Sequence, residues 1–258
     1  MKKMIYLILL VGILCSACKE EADQKQQPTA LEPTLTMVPP TSTHTPEPTE
    51  IPTETPVPSP TPDLRIILDE PKELVLLTED LPEEGNYYIS QDRGTLTNEM
   101  IVYNFQKELG EDTAGLVDRY LQETSRLDGY SQVWTRGNWA FDGPLYIANE
   151  IAVFEDTPGA QLEVTKYKPL LIQAMDGRVP SHDEVQIGDQ TRIYIDTVTS
   201  NGQEADVILV EFSYRNVVID IGCWGEKGKY TLADVVVIAD RVYQRLLELP
   251  LVESETQS

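Results

Sequence analysis

Hydrophobic and polar positions change their rhythm several times along this chain, and each rhythm predicts a different element. The clearest helical rhythm is the last. Leu232, Val235, Val236, Ala239, Val242, Tyr243 and Leu246 recur at helical spacing, Thr231 and Asp234 form a capping-box pair ahead of them, and Pro250 stops the run. A second helix is expected from Asp112 or Thr113, with Leu116, Val117, Tyr120, Leu121, Thr124 and Leu127 on one face and Gly129 as its end. A third opens at Asp156-Thr157-Pro158, where cap and proline stand in the usual order. Its face is Ala160, Val164, Tyr167, Leu171, Ala174 and Met175, and Pro169 should kink or split it.

Between these helices the pattern reads as strands: Met100 to Gln106, Tyr130 to Trp139, Tyr146 to Glu155, Thr191 to Val198, Asp206 to Tyr214 and Val217 to Trp224. Ser200-Asn201-Gly202-Gln203 is a hairpin signal, and Arg215-Asn216 marks the next turn. The last three strands therefore form an antiparallel meander. The fold class expected is α+β: an antiparallel sheet covered by about three helices. Strand, acidic cap and helix recur at 100–127 and 146–175, a faint sign of duplication.

This patterned region is one domain, 64–258, and what precedes it differs in kind. Residues 28 to 63 hold 11 of the 18 prolines and many threonines. Such a segment buries too little apolar surface to repay its ordering entropy. Residues 18–63 are therefore expected to be a disordered Pro/Thr-rich linker, whose segment 28–63 spans up to roughly 110 Å in extended form. The first 17 residues have two lysines, an apolar run from Met4 to Leu14, then the small residues Ser16 and Ala17. That order is a secretory signal. The uncharged stretch falls short of the roughly 20 residues a membrane-crossing helix needs.

Composition narrows the chemistry. The formal net charge of −23 argues against nucleic acid, which binds through clustered cations. Of two histidines, His44 is in the linker and His182 stands in Ser181-His182-Asp183, with no spaced partner for a relay or a metal. Cys223 lies in an apolar strand and reads as a packing residue, so no disulfide is expected in the domain. No nucleophile elbow, phosphate loop, dinucleotide fingerprint or zinc helix occurs. Forty-three acidic residues make any carboxylate pair uninformative on its own. The acidic loop Asp80 to Glu84 reads as a solvated turn rather than a calcium site. No catalytic residue, metal site or cofactor is assigned. The binding candidates are aromatic: Trp134, Trp139 and Tyr146, with Arg136 among them. Trp134 is expected in the core, and Trp139, beside a turn, is balanced between core and platform.

Ser16-Ala17-Cys18 resembles the lipobox of bacterial lipoproteins, with Cys15 where that family usually has leucine. The resemblance implies that Cys18 carries a diacylglycerol and becomes the N-terminus. It places the protein at the cell membrane, lipid-anchored, on the extracytoplasmic face. Asp80-Leu81-Pro82 with Gly85, Val153-Phe154 before Ala160, Gly188-Asp189 and Arg215-Asn216-Val217-Val218 resemble segments of uncharacterised extracytoplasmic lipoprotein domains. Similar layouts occur in PsbP-like domains and in extracellular sensor domains of bacterial kinases. That resemblance implies a non-catalytic ligand-binding or sensor-like domain. Its partners would be carbohydrate, peptide or an envelope protein, besides the membrane held by lipid. An exported hydrolase acting on wall polymer or peptide is the alternative, and a structural envelope protein a third.

Overall fold

The computed structural model describes residues 65–109, 111–176, 184–200 and 202–253. The leader, Cys18, the linker, both histidines and Asp183 lie outside them. The described chain builds a six-stranded, wholly antiparallel sheet flanked by helices, the α+β class that the patterning predicts. The strands are β1 (Tyr87–Thr95), β2 (Arg126–Arg136), β3 (Tyr146–Phe154), β4 (Gln190–Ser200), β5 (Gln203–Tyr214) and β6 (Val217–Glu226). Their order is β1-β2-β3-β6-β5-β4. The helices are α1 (Pro71–Leu74), α2 (Asn98–Leu109), α3 (Glu111–Glu123), α4 (Thr157–Leu162), α5 (Lys168–Asp176) and α6 (Leu232–Leu247).

The expected meander is β4-β5-β6. Ser200 pairs with Gln203, and Gly202 between them has φ +76°, a value that favours glycine. Tyr214 pairs with Val217 across the Arg215-Asn216 turn. These two turns fix the register of three strands, so alternation delivers every second side chain to the same face.

One face is apolar. Val217, Ile219, Ile221 and Cys223 of β6 lie beside Ile208, Val210, Phe212 and Tyr214 of β5. Helix α6 covers them with Val235, Ile238, Ala239, Val242 and Leu246, all buried. Thr231 and Asp234 form the expected capping box. Beyond α6, residues 66–81 close the face, held by polar side chains set among the apolar ones. Asn149 Oδ1 accepts from the Leu76 amide at 2.7 Å, and Gln132 Nε2 donates to the Leu76 carbonyl at 2.6 Å. Asp80, expected in a solvated turn, is instead buried. It accepts from the Leu77 amide and pairs with Arg245 of α6 at 3.1 Å.

The opposite face is covered by α4 and α5, joined by a π turn at Glu163–Tyr167. Asp156 caps α4, accepting from the Gly159 amide at 2.8 Å. Pro169 splits the helix as expected: it has no N–H to donate, and the π turn ends two residues before it. Gly159 is required where it stands, because a Cβ there would meet the Thr124 carbonyl oxygen at 2.1 Å.

Expectations about where elements begin and end also fail. Met100 to Gln106 is helical, within α2, and not a strand. Ile101, Val102 and Phe105 are partly buried against Val117 and Leu121 of α3, and Thr97 caps the start by accepting from the Met100 amide. The duplication therefore has no strand in its first copy. Helix α3 ends at Glu123, before Leu127 and Gly129: Ser125 takes φ +51° and reverses the chain into β2. Strand β2 ends at Arg136, before Trp139, because the Gly137 and Asn138 amides turn aside to the Gly85 carbonyl. Strand β1 went unread in the sequence; most of it is polar and exposed or half-exposed, as suits an edge.

Candidate functional site

Of the four aromatic-region candidates, the structure brings together none as a shared platform. Trp134 is 4% exposed and belongs to the apolar core. Arg136 is buried and ties a loop down: its Nη1 donates to the Phe141 carbonyl at 2.5 Å and to the Gly143 carbonyl at 2.7 Å. Trp139 is 70% exposed in that loop. Tyr146 lies at the start of β3, half-exposed, with its ring 5.3 Å from that of Trp224.

A groove of about 620 Å³ lies elsewhere, where α2 and α3 meet the start of β2. Tyr103 (62% exposed) and Leu127 (53% exposed) offer apolar surface to it. Asn98, Gln106 and Gln122 supply amides, and Glu99, Asp118 and Glu155 supply carboxylates. Arg126 lines it too and is buried. Its Nη1 donates to Asn98 Oδ1 at 2.8 Å and to the Leu96 carbonyl at 3.0 Å, while Asn98 Nδ2 donates back to the Arg126 carbonyl. This exchange fastens the first turn of α2 to β2. Gly129 makes room for the guanidinium, since a Cβ there would meet Nη2 at 2.2 Å.

The second unusual feature is a polar row across the face beneath α4 and α5. Strand register places Ser131, Glu150, Asp220, Glu211 and Arg192 side by side on β2, β3, β6, β5 and β4. Lys168 of α5 reaches down to Asp220 at 2.5 Å. Glu163 of the π turn accepts from the Tyr120 hydroxyl at 2.7 Å. Glu211 is fully buried, and neither of its carboxyl oxygens has a hydrogen-bond partner; the same holds for Asp220 Oδ1 and the Tyr194 hydroxyl. Buried polar atoms without partners are rare, and each calls for a physical reason.

Electrostatics supply one. Burial, and next the charge of Asp220, push the Glu211 carboxyl well above the ordinary carboxylate range, against the pull of Lys168. Burial likewise raises Glu163 and Glu150, again opposed by Lys168. Burial draws the Lys168 ammonium down, but Asp220, Glu211, Glu150 and Glu163 together outweigh it and hold the group charged. Cys223 is fully buried and its thiol is held far above the usual range by burial, the behaviour of a packing cysteine.

The groove and the row both escaped the sequence reading. The groove depends on α2, which reads as a strand. The row consists of three carboxylates among 43 acidic residues, yet the two turns that define the meander already align Glu211 with Asp220 and Arg192. Among the described residues no cluster of histidine, cysteine or carboxylate side chains is arranged to hold a metal ion, and no helix is long and apolar enough to cross a membrane.

No protein-family model matches this chain, and no curated protein matches it. Among solved structures, the extracellular domain of PknH from Mycobacterium tuberculosis is similar at 12% identity and a TM-score of 0.41, over 69% of this chain and 94% of that one.

Proposed function

We propose that this chain is a lipid-anchored extracytoplasmic protein whose α+β domain binds a ligand and catalyses no reaction. The address rests on the leader and on Cys18, and the Pro/Thr-rich segment then serves as the stalk. The observation that carries the binding role is the groove between α2, α3 and β2. It combines apolar surface, side-chain amides and a fixed wall, the usual make-up of a ligand site. Its carboxylates, Glu99, Asp118 and Glu155, disfavour an anion and suit a cationic peptide.

The hydrolase reading would need carboxylates that a polymer can reach. Glu211 and Asp220, which register sets directly opposite each other, are buried under α5, and Lys168 occupies Asp220. That pair therefore offers a polymer no reachable acid.

Thermal-shift measurements on the full chain test the proposal with a lysine-rich peptide, an acidic peptide of equal length and a neutral oligosaccharide. Binding raises the apparent melting temperature. The lysine-rich peptide is expected to raise it, and Tyr103→Ala to weaken that effect about tenfold or more. No shift with any probe, or a shift abolished by Trp139→Ala and untouched by Tyr103→Ala, would remove the groove from the account.

A further inference from the structure

The carboxylate row asks for one more hydrogen atom than its side chains carry when ionised. Glu211 and Asp220 are directly opposed on β5 and β6, where facing Cβ atoms stand about 5 Å apart. Lys168 takes Asp220 Oδ2 and leaves Oδ1 without a donor. Both Glu211 oxygens and the Tyr194 hydroxyl are buried and also without partners. A single proton on Glu211 supplies the donor that this carboxyl pair lacks. A protonated Glu211 would donate toward Asp220 Oδ1, while the Tyr194 hydroxyl, which burial keeps in its neutral phenol form, has no hydrogen-bond partner in either state.

We propose that Glu211 and Asp220 form a proton-binding site whose occupancy sets how firmly α5 is seated on the sheet. With the proton bound, Lys168 faces one carboxylate and one neutral acid. When the proton leaves to solvent, two adjacent buried carboxylates share that one ammonium. The second charge has no hydrogen-bond partner, and a buried charge left so is relieved by admitting water beneath the helix.

The other charged groups around the row do not supply the missing charge. From β3 comes Glu150, which adds a further carboxylate. From the π turn comes Glu163, bonded to Tyr120 of α3. From β4 come Tyr194 and Arg192, whose Nη1 donates to the Thr191 carbonyl. From β2 comes Arg126, engaged with Asn98 and Leu96, and from β1 comes Arg93, bonded to Gln91. Lys168 is the cation that forms an ion pair in the row, whereas Arg192, opposite Glu211 at the β4 end, pulls on that carboxyl without bonding to it. The site stands whatever the groove between α2 and α3 binds.

The sign follows from linkage. The folded chain binds the Glu211 proton more tightly than an opened one does. The stabilisation is therefore complete at pH below the ordinary carboxylate value, about 4.3, and is lost as pH rises through the raised folded value. Within that window each pH unit makes opening about tenfold easier for one proton released.

Hydrogen exchange on the full chain tests this, with rates corrected for the intrinsic pH dependence of exchange. Protection in the segment Thr157–Ile172 is expected to fall by about tenfold or more per pH unit through that window, and α6 to keep its protection. Glu211→Gln, which keeps shape and removes the charge, should take about one power of ten per unit from the slope. An unchanged slope in Glu211→Gln, or equal slopes in α5 and α6, would overturn the proposal. Infrared titration of the wild-type chain needs no variant. A band from a neutral buried carboxyl should persist above the pH at which exposed carboxyls ionise and vanish as pH rises further, and its loss together with the exposed carboxyls would overturn the proposal equally.

Discussion

Phe212 and Glu211 are neighbours on β5 and point to opposite faces of one sheet, where they meet opposite solutions to burial. Phe212 enters the apolar layer under α6, with its ring 6.1 Å from that of Tyr243 in an edge-on contact. Glu211 enters the layer under α4 and α5, equally buried, beside Asp220 and without a hydrogen-bond partner. The first face is closed by helix α6 and residues 66–81, and its side-chain amides, Asn149, Gln132 and Asn216, bond to the backbone. The second face is closed by a helix that a proline and a π turn interrupt, and it keeps a row of charge. The difference teaches where this fold is free to change. Apolar burial works at any pH, whereas a row of carboxyls works only while its protons and its ammonium are in place.

Four substitutions sharpen or break this contrast, and urea unfolding of the full chain at several pH values reads all of them. Phe212→Ala should cost about 3–5 kcal/mol, through lost transfer energy and the cavity left behind, by the same amount at every pH. A cost that varies strongly with pH would show that the two faces are not independent. Lys168→Met should cost about 3 kcal/mol at neutral pH, because Asp220 loses the cation beside it. That cost should shrink in acid, where the carboxyls take protons. Glu211→Gln should instead stabilise, by about 1.4 kcal/mol for each pH unit above the ordinary carboxylate value until the folded value is passed. A loss of stability at neutral pH would mean that the ionised carboxylate is the form that the fold prefers. Trp139→Ala should change stability by no more than about 0.5 kcal/mol, since the ring is largely in solvent.

The elements legible in the sequence were those with a strong local signal. Thr231 with Asp234, Asp156 with Pro158, and Gly202 each announce a boundary by backbone chemistry that tertiary contacts did not override. The meander was legible because its turns were. Helix α2 was not, because Ile101, Val102 and Tyr103 are β-rich neighbours and the Thr97 cap was overlooked; its helical face shows only once α3 is beside it. Strand β1 was hidden by polarity, since an edge strand has little apolar pattern to reveal. At the site level, aromatic residues drew notice by rarity; Trp134 is core, as expected, and Arg136 is a loop tie rather than part of a platform. The carboxylates went unnoticed because they are common. What distinguishes Glu150, Asp220 and Glu211 is register, and register is a property of paired strands rather than of any one segment.

The most direct measurement is the carboxyl carbon-13 shift of Glu211, followed against pH in the full chain and assigned by its absence from Glu211→Gln. The account predicts a carboxyl that titrates well above the ordinary carboxylate range, while Phe212 on the other side of the same strand keeps its environment throughout. A Glu211 that titrates near pH 4.3, as an exposed glutamate does, would contradict it.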